Sequence, residues 1–506
     1  MEPRFAFLLG ALALGACSGP AVPPAVTCPS CPPCAANVAS VSAAPSASAA
    51  SSVAVPDKPP LVADPIVDKL QALAHSDSRA FDLVRSLVDE AGPRMSGSPG
   101  DKLGVAWALR MMKELGLQNV RAEKVMVPHW ERGAESGRIV TPTAHKLAVT
   151  ALGGSVATKG KGLEADIVMV DSLEALQKLD DAQVKGKIVF FSAHMERTHT
   201  GRDYGRVGPM RSEGPIAASK KGAVGVVIRS LGTDHERLPH TGAFKHDKSV
   251  PEIPAAALSV PDAEMIERLV TSGKTVRLAL SLESKSHPEA ESANVVGEVI
   301  GREKPNEIVL IGAHLDSWDA GVGALDDGAG CAAVLEAARL LTKLPKRPRR
   351  TVRVVLFANE ENGLKGAKQY AVDHAGEVNA HQLALEIDLG SDKVHTVRFL
   401  RGDGVEPAYT KIAELLRPLV ITFDSEPAYG GADLIPLRAL GVPLVDLHQD
   451  ASHYFDIHHT ANDTLDQVSK ENLEQVVAAV ATVAWTAADT TDLFVRVPEG
   501  RRERKR

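Results

Sequence analysis

Residues 307–341 read EIVLIGAHLDSWDAGVGALDDGAGCAAVLEAARLL, and this stretch decides the fold. The apolar run Ile308 to Ile311 predicts a buried strand, and Ala329 to Leu341 has the apolar spacing of a helix. The same alternation continues with strands at Thr351 to Phe357, Leu383 to Ile387 and Val442 to Leu447, and a helix at Leu364 to His374. This order predicts an α/β fold, with a mostly parallel mixed sheet and helices on both faces.

The chain upstream of this region has a different pattern of apolar residues. Apolar spacing predicts two helices between residues 80 and 115, separated by the turn-rich stretch 92–100, and then a strand at Val120 to Val127. From about Pro142 to Ser286, short apolar runs such as Lys187 to Phe191 predict β-strands. We therefore expect the catalytic domain to occupy residues 61–140 and 289–495, with a β-rich domain inserted at residues 141–288.

The first residues are typical of an exported protein. Arg4 precedes the apolar run Phe5 to Leu14, which is too short to span a bilayer and predicts a signal peptide. The run leads to Leu14-Gly15-Ala16-Cys17, which resembles a bacterial lipobox. We expect a lipoprotein signal peptide at residues 1–17 with lipidation of Cys17, and an ordinary secretory signal is the alternative. The Ala/Ser/Pro-rich residues 18–60 then form a tether. The expected protein is exported: either anchored by lipid to a bacterial membrane and facing the periplasm or cell surface, or secreted.

Charge and cysteine content bear on two functions, nucleic-acid binding and cysteine-based metal or redox chemistry. The formal net charge of -7 excludes a basic field across the chain, so we expect no nucleic-acid partner. The basic tail, residues 496–506, is typical of a solvated end. Cys28, Cys31 and Cys34 have a metal-binding or redox spacing, but no fold surrounds them, which favours exposed thiols that pair with each other or with another chain. Cys331 lies among alanines in a predicted helix and is expected to be a small buried residue.

Acidic and imidazole side chains recur where the predicted strands end. They are His314 and Asp316 after the first strand, Asp326 and Asp327 before the helix, Glu360 and Glu361 after the second strand, Asp388 after the third, and His458 and His459 downstream. Sites in such folds form beyond the carboxyl ends of the strands, and so many charges gathered there would repel each other unless cations held them. Histidine and carboxylate without thiolate suit zinc, with manganese or cobalt as alternatives. The set is large enough for two ions.

Four motifs carry a family resemblance: GAHLDSWDAGVGALDDGAG (312–330), FANEENGLKGAKQYA (357–371), EIDLGSD (386–392) and HHTANDTLDQV (458–468). They resemble the di-zinc aminopeptidase and carboxypeptidase Q superfamily. Two further motifs, GPRMSGSPG (92–100) and VMVPHWERG (125–133), are similar to the carboxypeptidase Q branch, so the resemblance extends from about residue 64 to 490. The segments VKGKIVFF (184–191) and AASKKGAVGVVI (217–228) are similar to a protease-associated domain. The resemblance thus implies a zinc exopeptidase fold with that domain inserted.

The resemblance also implies a ligand set for two zinc ions per chain. His314 and Asp388 would bind one ion, Glu361 and His459 would bind the other, and Asp326 would bridge them. His459, rather than its neighbour, is taken as the ligand because the family places an Asp-Thr pair four residues later.

The remaining site residues are assigned on the same resemblance. Glu360 would be the general base, and the Asp316 carboxylate would orient a ligand imidazole. His458 stands where many relatives carry a tyrosine that donates to the oxyanion, which makes it a candidate donor in the transition state. Gly431 and Asp433 belong to a loop that resembles the pocket-lining loop of the family and are expected to contact substrate.

The implied activity is that of a zinc-dependent exopeptidase or dipeptidase acting on short peptides. Free dipeptides are the first expected substrates, and a homodimer is expected on the same resemblance. Alternatives are an aminopeptidase of broader range, a non-catalytic binding protein on the same scaffold, and a one-zinc cyclising acyltransferase similar to the glutaminyl cyclases. Membrane contact is expected only through the N-terminal lipid anchor.

Overall fold

The computed structural model describes residues 63–503 except residues 161 and 405. The predicted signal peptide, Cys17, the tether and the tether cysteines lie outside the described residues. The helices are α1 (Pro65–Ser76), α2 (Ala80–Ala91), α3 (Pro99–Glu114), α4 (Leu173–Lys178), α5 (Asp181–Val184), α6 (Asp203–Ser212), α7 (Gly214–Lys220), α8 (Val260–Thr271), α9 (Ala329–Thr342), α10 (Lys365–Asp373), α11 (Glu406–Leu416), α12 (Ile435–Ala439), α13 (Tyr454–Ile457) and α14 (Lys470–Asp489). Within this part of the chain, no helix combines the length and the apolar character needed to cross a membrane.

The strands form two sheets. Their bounds are β1 (Gln118–Glu131), β2 (Glu135–Thr141), β3 (His145–Leu147), β4 (Val149–Ala151), β5 (Leu163–Val170), β6 (Ile188–Phe191), β7 (Gly225–Arg229), β8 (Ala255–Leu258), β9 (Arg277–Leu282), β10 (Lys285–Val299), β11 (Lys304–His314), β12 (Arg350–Phe357), β13 (His381–Glu386), β14 (Val394–Leu400), β15 (Thr422–Phe423) and β16 (Leu444–Gln449). The first sheet has the order β1-β10-β12-β11-β13-β16-β14-β15, and the second has the order β3-β2-β9-β5-β6-β7-β8-β4.

The first sheet confirms the predicted α/β class. Strands β12, β11, β13 and β16 are parallel neighbours, whereas β1, β10 and β14 join it antiparallel. Along β11, Val309 and Ile311 face a core shared with α1, α2, α3, α9, α11 and α14, while Leu310 faces the opposite core with α10 and α12. Because both faces are covered, the strand is apolar at consecutive positions rather than at alternate ones.

The second sheet lies in the part of the chain where the sequence predicts an inserted β-rich domain at residues 141–288. It begins at Glu135 and ends at Leu282, so the chain crosses between the sheets at residues 131–135 and again at 282–285. Strands β5, β6, β7 and β8 are parallel, and helices α4 to α8 lie between or after them. The run Ile188–Phe191 is fully buried, as expected for a strand covered on both faces. The segment from Glu135 to Leu282 is called the inserted segment below.

Two smaller predictions have clear outcomes. Cys331 is a buried free thiol, as expected, and its Sγ donates to the carbonyl oxygen of His314 over 3.0 Å. The described end of the C-terminal tail is largely exposed, as expected, and it contacts the rest of the fold at its surface. Arg501 pairs with Asp403 at 2.9 Å, and the Arg502 side chain donates to the carbonyl oxygen of Val497 over 2.8 Å.

Candidate metal centre

The parallel strands bring the predicted residues to one edge of the first sheet. His314, the last residue of β11, pairs with Phe357 at the end of β12, and Gly312 pairs with Glu386 at the end of β13. Glu360, Glu361 and Asp388 follow these strand ends within four residues, and Glu361 and Asp388 lie beside His314. The edge matches the one that the strand pattern predicts.

His314 is completely buried and fixed in one orientation. Its Nδ1–H donates to the backbone carbonyl oxygen of Asp316 over 3.0 Å, which turns Nε2 toward the carboxylates. Nε2 lies 3.1 Å from Oδ1 of Asp326 and 3.3 Å from Oδ1 of Asp388. Burial by itself would lower the pKa of His314, but the charge of Asp388 and the contact with Asp326 outweigh it and raise that pKa well above its usual value.

His459 contacts the other oxygen of the Asp326 carboxylate, and the inserted segment holds it. Its Nδ1–H donates to the backbone carbonyl oxygen of Thr241 over 3.2 Å, and the amide of Thr241 donates back to the carbonyl oxygen of His459 over 3.0 Å. Nε2 of His459 lies 3.1 Å from Oε2 of Glu361 and 3.3 Å from Oδ2 of Asp326. The imidazole is therefore orientated by a main-chain group of a different part of the fold.

The Asp326 carboxylate stands between the two histidines, with one oxygen toward each. The backbone around it is held by Asp463, whose carboxylate accepts from the amides of Leu325 and Asp326 over 2.7 and 3.2 Å. Burial would raise the pKa of Asp326, but the contacts with His314 and His459 hold it well below the usual value. Burial, with Asp326 nearby, raises the pKa of Asp463 to about 7. This arrangement is what a bridging ligand requires.

Asp316 acts differently from the expectation. Its carboxylate Oδ1 is 3.8 Å from Nδ1 of His314, too far for a hydrogen bond, and the carbonyl oxygen of Asp316 takes that bond instead. Oδ1 accepts from the backbone amide of Glu360 over 2.9 Å, and Oδ2 accepts from the hydroxyl of Ser96 over 3.0 Å. The Asp316 side chain thus fixes the backbone of Glu360 rather than the imidazole of His314.

The Gly92–Gly100 motif supports the loop between His314 and Asp326. Arg94 is fully buried, and its guanidinium donates to the carbonyl oxygens of Leu315, Val322 and Gly323 over 2.7 to 2.8 Å. These bonds satisfy carbonyl groups that would otherwise be buried without a partner.

Asp327 lies in the same cluster but its oxygens are already engaged. They accept from the backbone amides of His314 and Gly330 over 3.1 and 3.0 Å, so Asp327 joins the end of β11 to the first turn of α9. We therefore exclude it from the candidate ligand set.

The residues fit zinc ions. Oε1 of Glu361 is buried and has no hydrogen-bond partner in the described part of the chain, which is costly for an anionic oxygen unless a cation is bound. In a tetrahedral site with zinc–ligand bonds of 2.0 to 2.1 Å, neighbouring ligand atoms are about 3.4 Å apart. The four imidazole–carboxylate distances at His314 and His459 are 3.1 to 3.3 Å, close to that spacing.

Glu360 faces a cavity of about 460 Å³ that both parts of the fold line. Burial raises the pKa of its carboxyl well above the usual value, and the nearby charges of Asp388 and Glu361 add to this. From the inserted segment, Tyr204 and Arg211 line the same cavity.

Arg211 has no ionic partner in the described residues. Its guanidinium carbon lies 5.2 Å from the centre of the Tyr204 ring, and its Nε and Nη1 atoms are buried without a hydrogen-bond partner. Gly242 leaves room for it, since a Cβ at Gly242 would lie 2.3 Å from Nη1 of Arg211. An unpaired guanidinium at a cavity wall is suited to an anionic group of a ligand.

The other predicted substrate contacts have mixed outcomes. His458 lines the cavity, stacks on His459 with ring centres 4.1 Å apart, and has no hydrogen-bond partner at either ring nitrogen within residues 63–503. Burial, assisted by the charges of His459 and His240, lowers the pKa of His458 well below its usual value. Gly431 also lines the cavity, and a Cβ there would lie 2.2 Å from Oε2 of Glu386.

Asp433 does not line the cavity, contrary to the expectation. Its side chain is buried, and its backbone amide donates to Oε2 of Glu386 over 3.1 Å. The tight turn at Gly430 and Gly431, both with positive φ, directs the chain into the core before Asp433 is reached.

Sequence reasoning missed Thr241, Tyr204 and Arg211. Their motifs are not distinctive, and they reach the site only because the inserted segment docks against His459, more than 200 residues away in the chain. An unpaired arginine on a short helix gives no sequence signal that separates it from an exposed one.

The chain is similar to known peptidases. A family model described as peptidase family M28 matches residues 294–484. Carboxypeptidase Q of Bos taurus is 35% identical over 435 residues, which cover 86% of this chain and 90% of that protein.

Two solved structures are similar in fold. The crystal structure of a peptidase M28 precursor from Shewanella amazonensis SB2B has 44% identity and a TM-score of 0.84, covering 86% of this chain and 98% of that one. A zinc aminopeptidase from Bacillus subtilis has 22% identity and a TM-score of 0.59, covering 83% of this chain and 98% of that one. The second likeness concerns the fold alone.

Proposed function

We propose, from the premise that this chain belongs to peptidase family M28, that it is a zinc-dependent exopeptidase whose preferred substrates are free dipeptides. The chain is a hydrolase of the peptidase class by its family. Its relatives include proteins named carboxypeptidase and aminopeptidase.

The observation that carries the proposal is Arg211. A peptide with a free carboxyl terminus offers an anion at the end of the chain, and an arginine guanidinium binds carboxylates through charge-assisted hydrogen bonds. Nε and Nη1 of Arg211 are buried donors without a partner in a cavity that also contains Glu360. A cavity of about 460 Å³ has room for a short peptide.

The candidate ligands divide into two sets. His314 and Asp388 would hold one zinc ion, Glu361 and His459 would hold a second, and Asp326 would contribute one oxygen to each. When bound, zinc lowers the pKa of water and polarises a carbonyl group.

The protein groups then supply the proton transfer. The Glu360 carboxylate, held by the bond from its amide to Asp316, accepts the proton of the attacking water and delivers it to the amine of the leaving group. His458 has an unpartnered ring nitrogen in the cavity and would donate to the oxygen on which negative charge develops.

The substrate assignment is tested with one dipeptide in its free, N-acetylated and C-amidated forms. We expect Arg211→Ala to raise KM for the free dipeptide by about 10- to 100-fold, the usual worth of a charge-assisted hydrogen bond, and to leave the C-amidated form nearly unchanged. Arg206→Ala is the matched control, because Arg206 lies on the same helix but is exposed and paired with Asp203 at 2.7 Å. Equal losses on free and amidated dipeptides would argue against a carboxylate contact and would favour the aminopeptidase alternative.

We also propose that the protein is exported and lipid-anchored at Cys17, on the pattern of residues 1–17. Cys17→Ser should move the protein from the membrane fraction to the soluble exported fraction. A Cys17→Ser protein that stays with membranes would contradict the lipid anchor.

A further inference from the structure

A second group of potential metal ligands lies outside the catalytic cavity, where the chain crosses between the two sheets. It consists of His129 and Glu131 near the end of β1 and His287 near the start of β10, and we call it the neck cluster. His129 lies directly opposite His287 in the antiparallel register. Glu131 is two residues beyond His129, so it points to the same face of the strand pair.

The ligand atoms of the neck cluster are close enough to share one ion. Nε2 of His287 lies 3.1 Å from Oε2 of Glu131, and Nε2 of His129 lies 3.6 Å from Oε1 of Glu131. Candidate ligand atoms of all three residues lie within 4.8 Å of one another. These distances bracket the spacing of about 3.4 Å between neighbouring ligand atoms of a tetrahedral zinc ion.

His129 gives an independent reason to expect a ligand. Its Nε2 atom is buried and has no hydrogen-bond partner among the described residues, although a buried imidazole nitrogen normally has one. Gly97 packs against the base of this side chain, since a Cβ at Gly97 would lie 2.9 Å from the Cβ of His129. The side chains of Glu131 and His287 are 56% and 36% exposed, so an ion can enter from solvent.

We propose that the neck cluster binds one divalent transition-metal ion of the zinc class, separate from the catalytic centre. Two imidazoles and one carboxylate without thiolate are ligands suited to zinc, and the exposed side leaves a fourth position for water. The ion fastens the strand that enters the inserted segment after Glu131 to the strand that leaves it before Lys285. Because this segment carries Thr241 and Arg211, the bound ion fixes the base of the part that completes the catalytic cavity.

The proposal is tested by counting zinc on the full-length protein. Protein stripped with a chelator is equilibrated with ZnCl₂, freed of unbound metal and analysed for zinc. We expect His287→Ala to bind one ion per chain fewer than the wild type. His246→Ala is the matched control. His246 is exposed and lies 3.1 Å from Glu252, but it belongs to none of the potential metal groups among the described residues. The variant should bind as much zinc as the wild type.

A variant of the catalytic centre separates the neck cluster from that centre. Asp326→Ala should release the catalytic zinc and retain the ion of the neck cluster, and adding His287→Ala should remove that ion as well. Glu131→Gln keeps the size of the side chain, so it should fold and weaken the extra ion by at least about 10-fold. Equal zinc content in wild type, His287→Ala and Glu131→Gln would overturn the proposal. The comparison counts ions and does not depend on peptidase activity, so it stands or fails apart from the substrate assignment.

Discussion

Two regions build the catalytic cavity in different ways. The first sheet supplies side chains from the ends of adjacent strands, where His314, Glu361 and Asp388 are placed by the register of the backbone. The inserted segment supplies a main-chain carbonyl at Thr241 and an unpaired cation at Arg211. On the proposed function, the sheet would supply the metal ligands and the base, and the inserted segment would orient one ligand and contact the substrate.

The adjacent glutamates give the sharpest test of what the sheet contributes. Glu360→Gln keeps the size and hydrogen bonding of the side chain but cannot accept a proton, so kcat should fall by about 10²–10⁴ while zinc content persists. Glu361→Gln removes an anionic ligand near His459, so zinc should be lost and activity should recover in part with excess metal.

Zinc content and dipeptide turnover of the two purified variants provide the measurement. The assignment is reversed if Glu360→Gln loses zinc and is rescued by it while Glu361→Gln keeps its metal and is inactive. Either clear result locates the base just after β12, since the two residues follow Phe357 by three and four positions.

The site residues on the sheet could be predicted because they follow the ends of apolar runs in the sequence. The run Ile308 to Ile311 predicts where β11 lies, and the polar residues that follow must then face the same edge. The role of Asp316 could not be predicted, because a two-residue spacing does not distinguish a carbonyl contact from a carboxylate contact. The burial of Asp433 likewise depends on how the turn at Gly431 bends, which the motif does not specify.

The sequence predicts a domain at residues 141–288, whereas the second sheet of the structure spans Glu135 to Leu282. The strand Glu135–Thr141 belongs to the second sheet, although the β-rich sequence pattern begins only near Pro142. The contribution of this segment to the site rests on contacts such as that between Thr241 and His459, which join distant parts of the chain. Local patterns carry no information on such docking.

His240 tests whether the inserted segment tunes the metal centre. Its Nδ1 lies 2.9 Å from the carbonyl oxygen of His458, and its Nε2 lies 2.7 Å from Asp234, so it supports the turn that carries His459. We expect His240→Ala to weaken zinc binding by about 10- to 100-fold, as loss of an outer-shell partner does, with turnover restored at saturating zinc.

Activity measured across buffered zinc concentrations provides the test for His240. His235→Ala is the control, since His235 is exposed in the same loop and should bind zinc as the wild type does. A loss of turnover that zinc does not restore would mean that His240 acts on the substrate side of the cavity rather than on the metal ligands.

The smallest effect is expected at Thr241, where the side chain and the main chain do different things. The hydroxyl donates to the carbonyl oxygen of Ala151 over 2.9 Å and accepts from Arg132 over 3.2 Å, whereas the carbonyl oxygen of Thr241 receives Nδ1–H of His459. Thr241→Val preserves the shape and the carbonyl group, so stability should fall by about 1 kcal/mol while zinc affinity stays within about 2-fold of the wild type. Chemical denaturation of the metal-free protein and a zinc titration measure the two quantities separately. Zinc loss without a change in stability would mean that the Thr241 side chain orients His459. The inserted segment would then act on the metal centre through a side chain, as the sheet does, and not through its main chain.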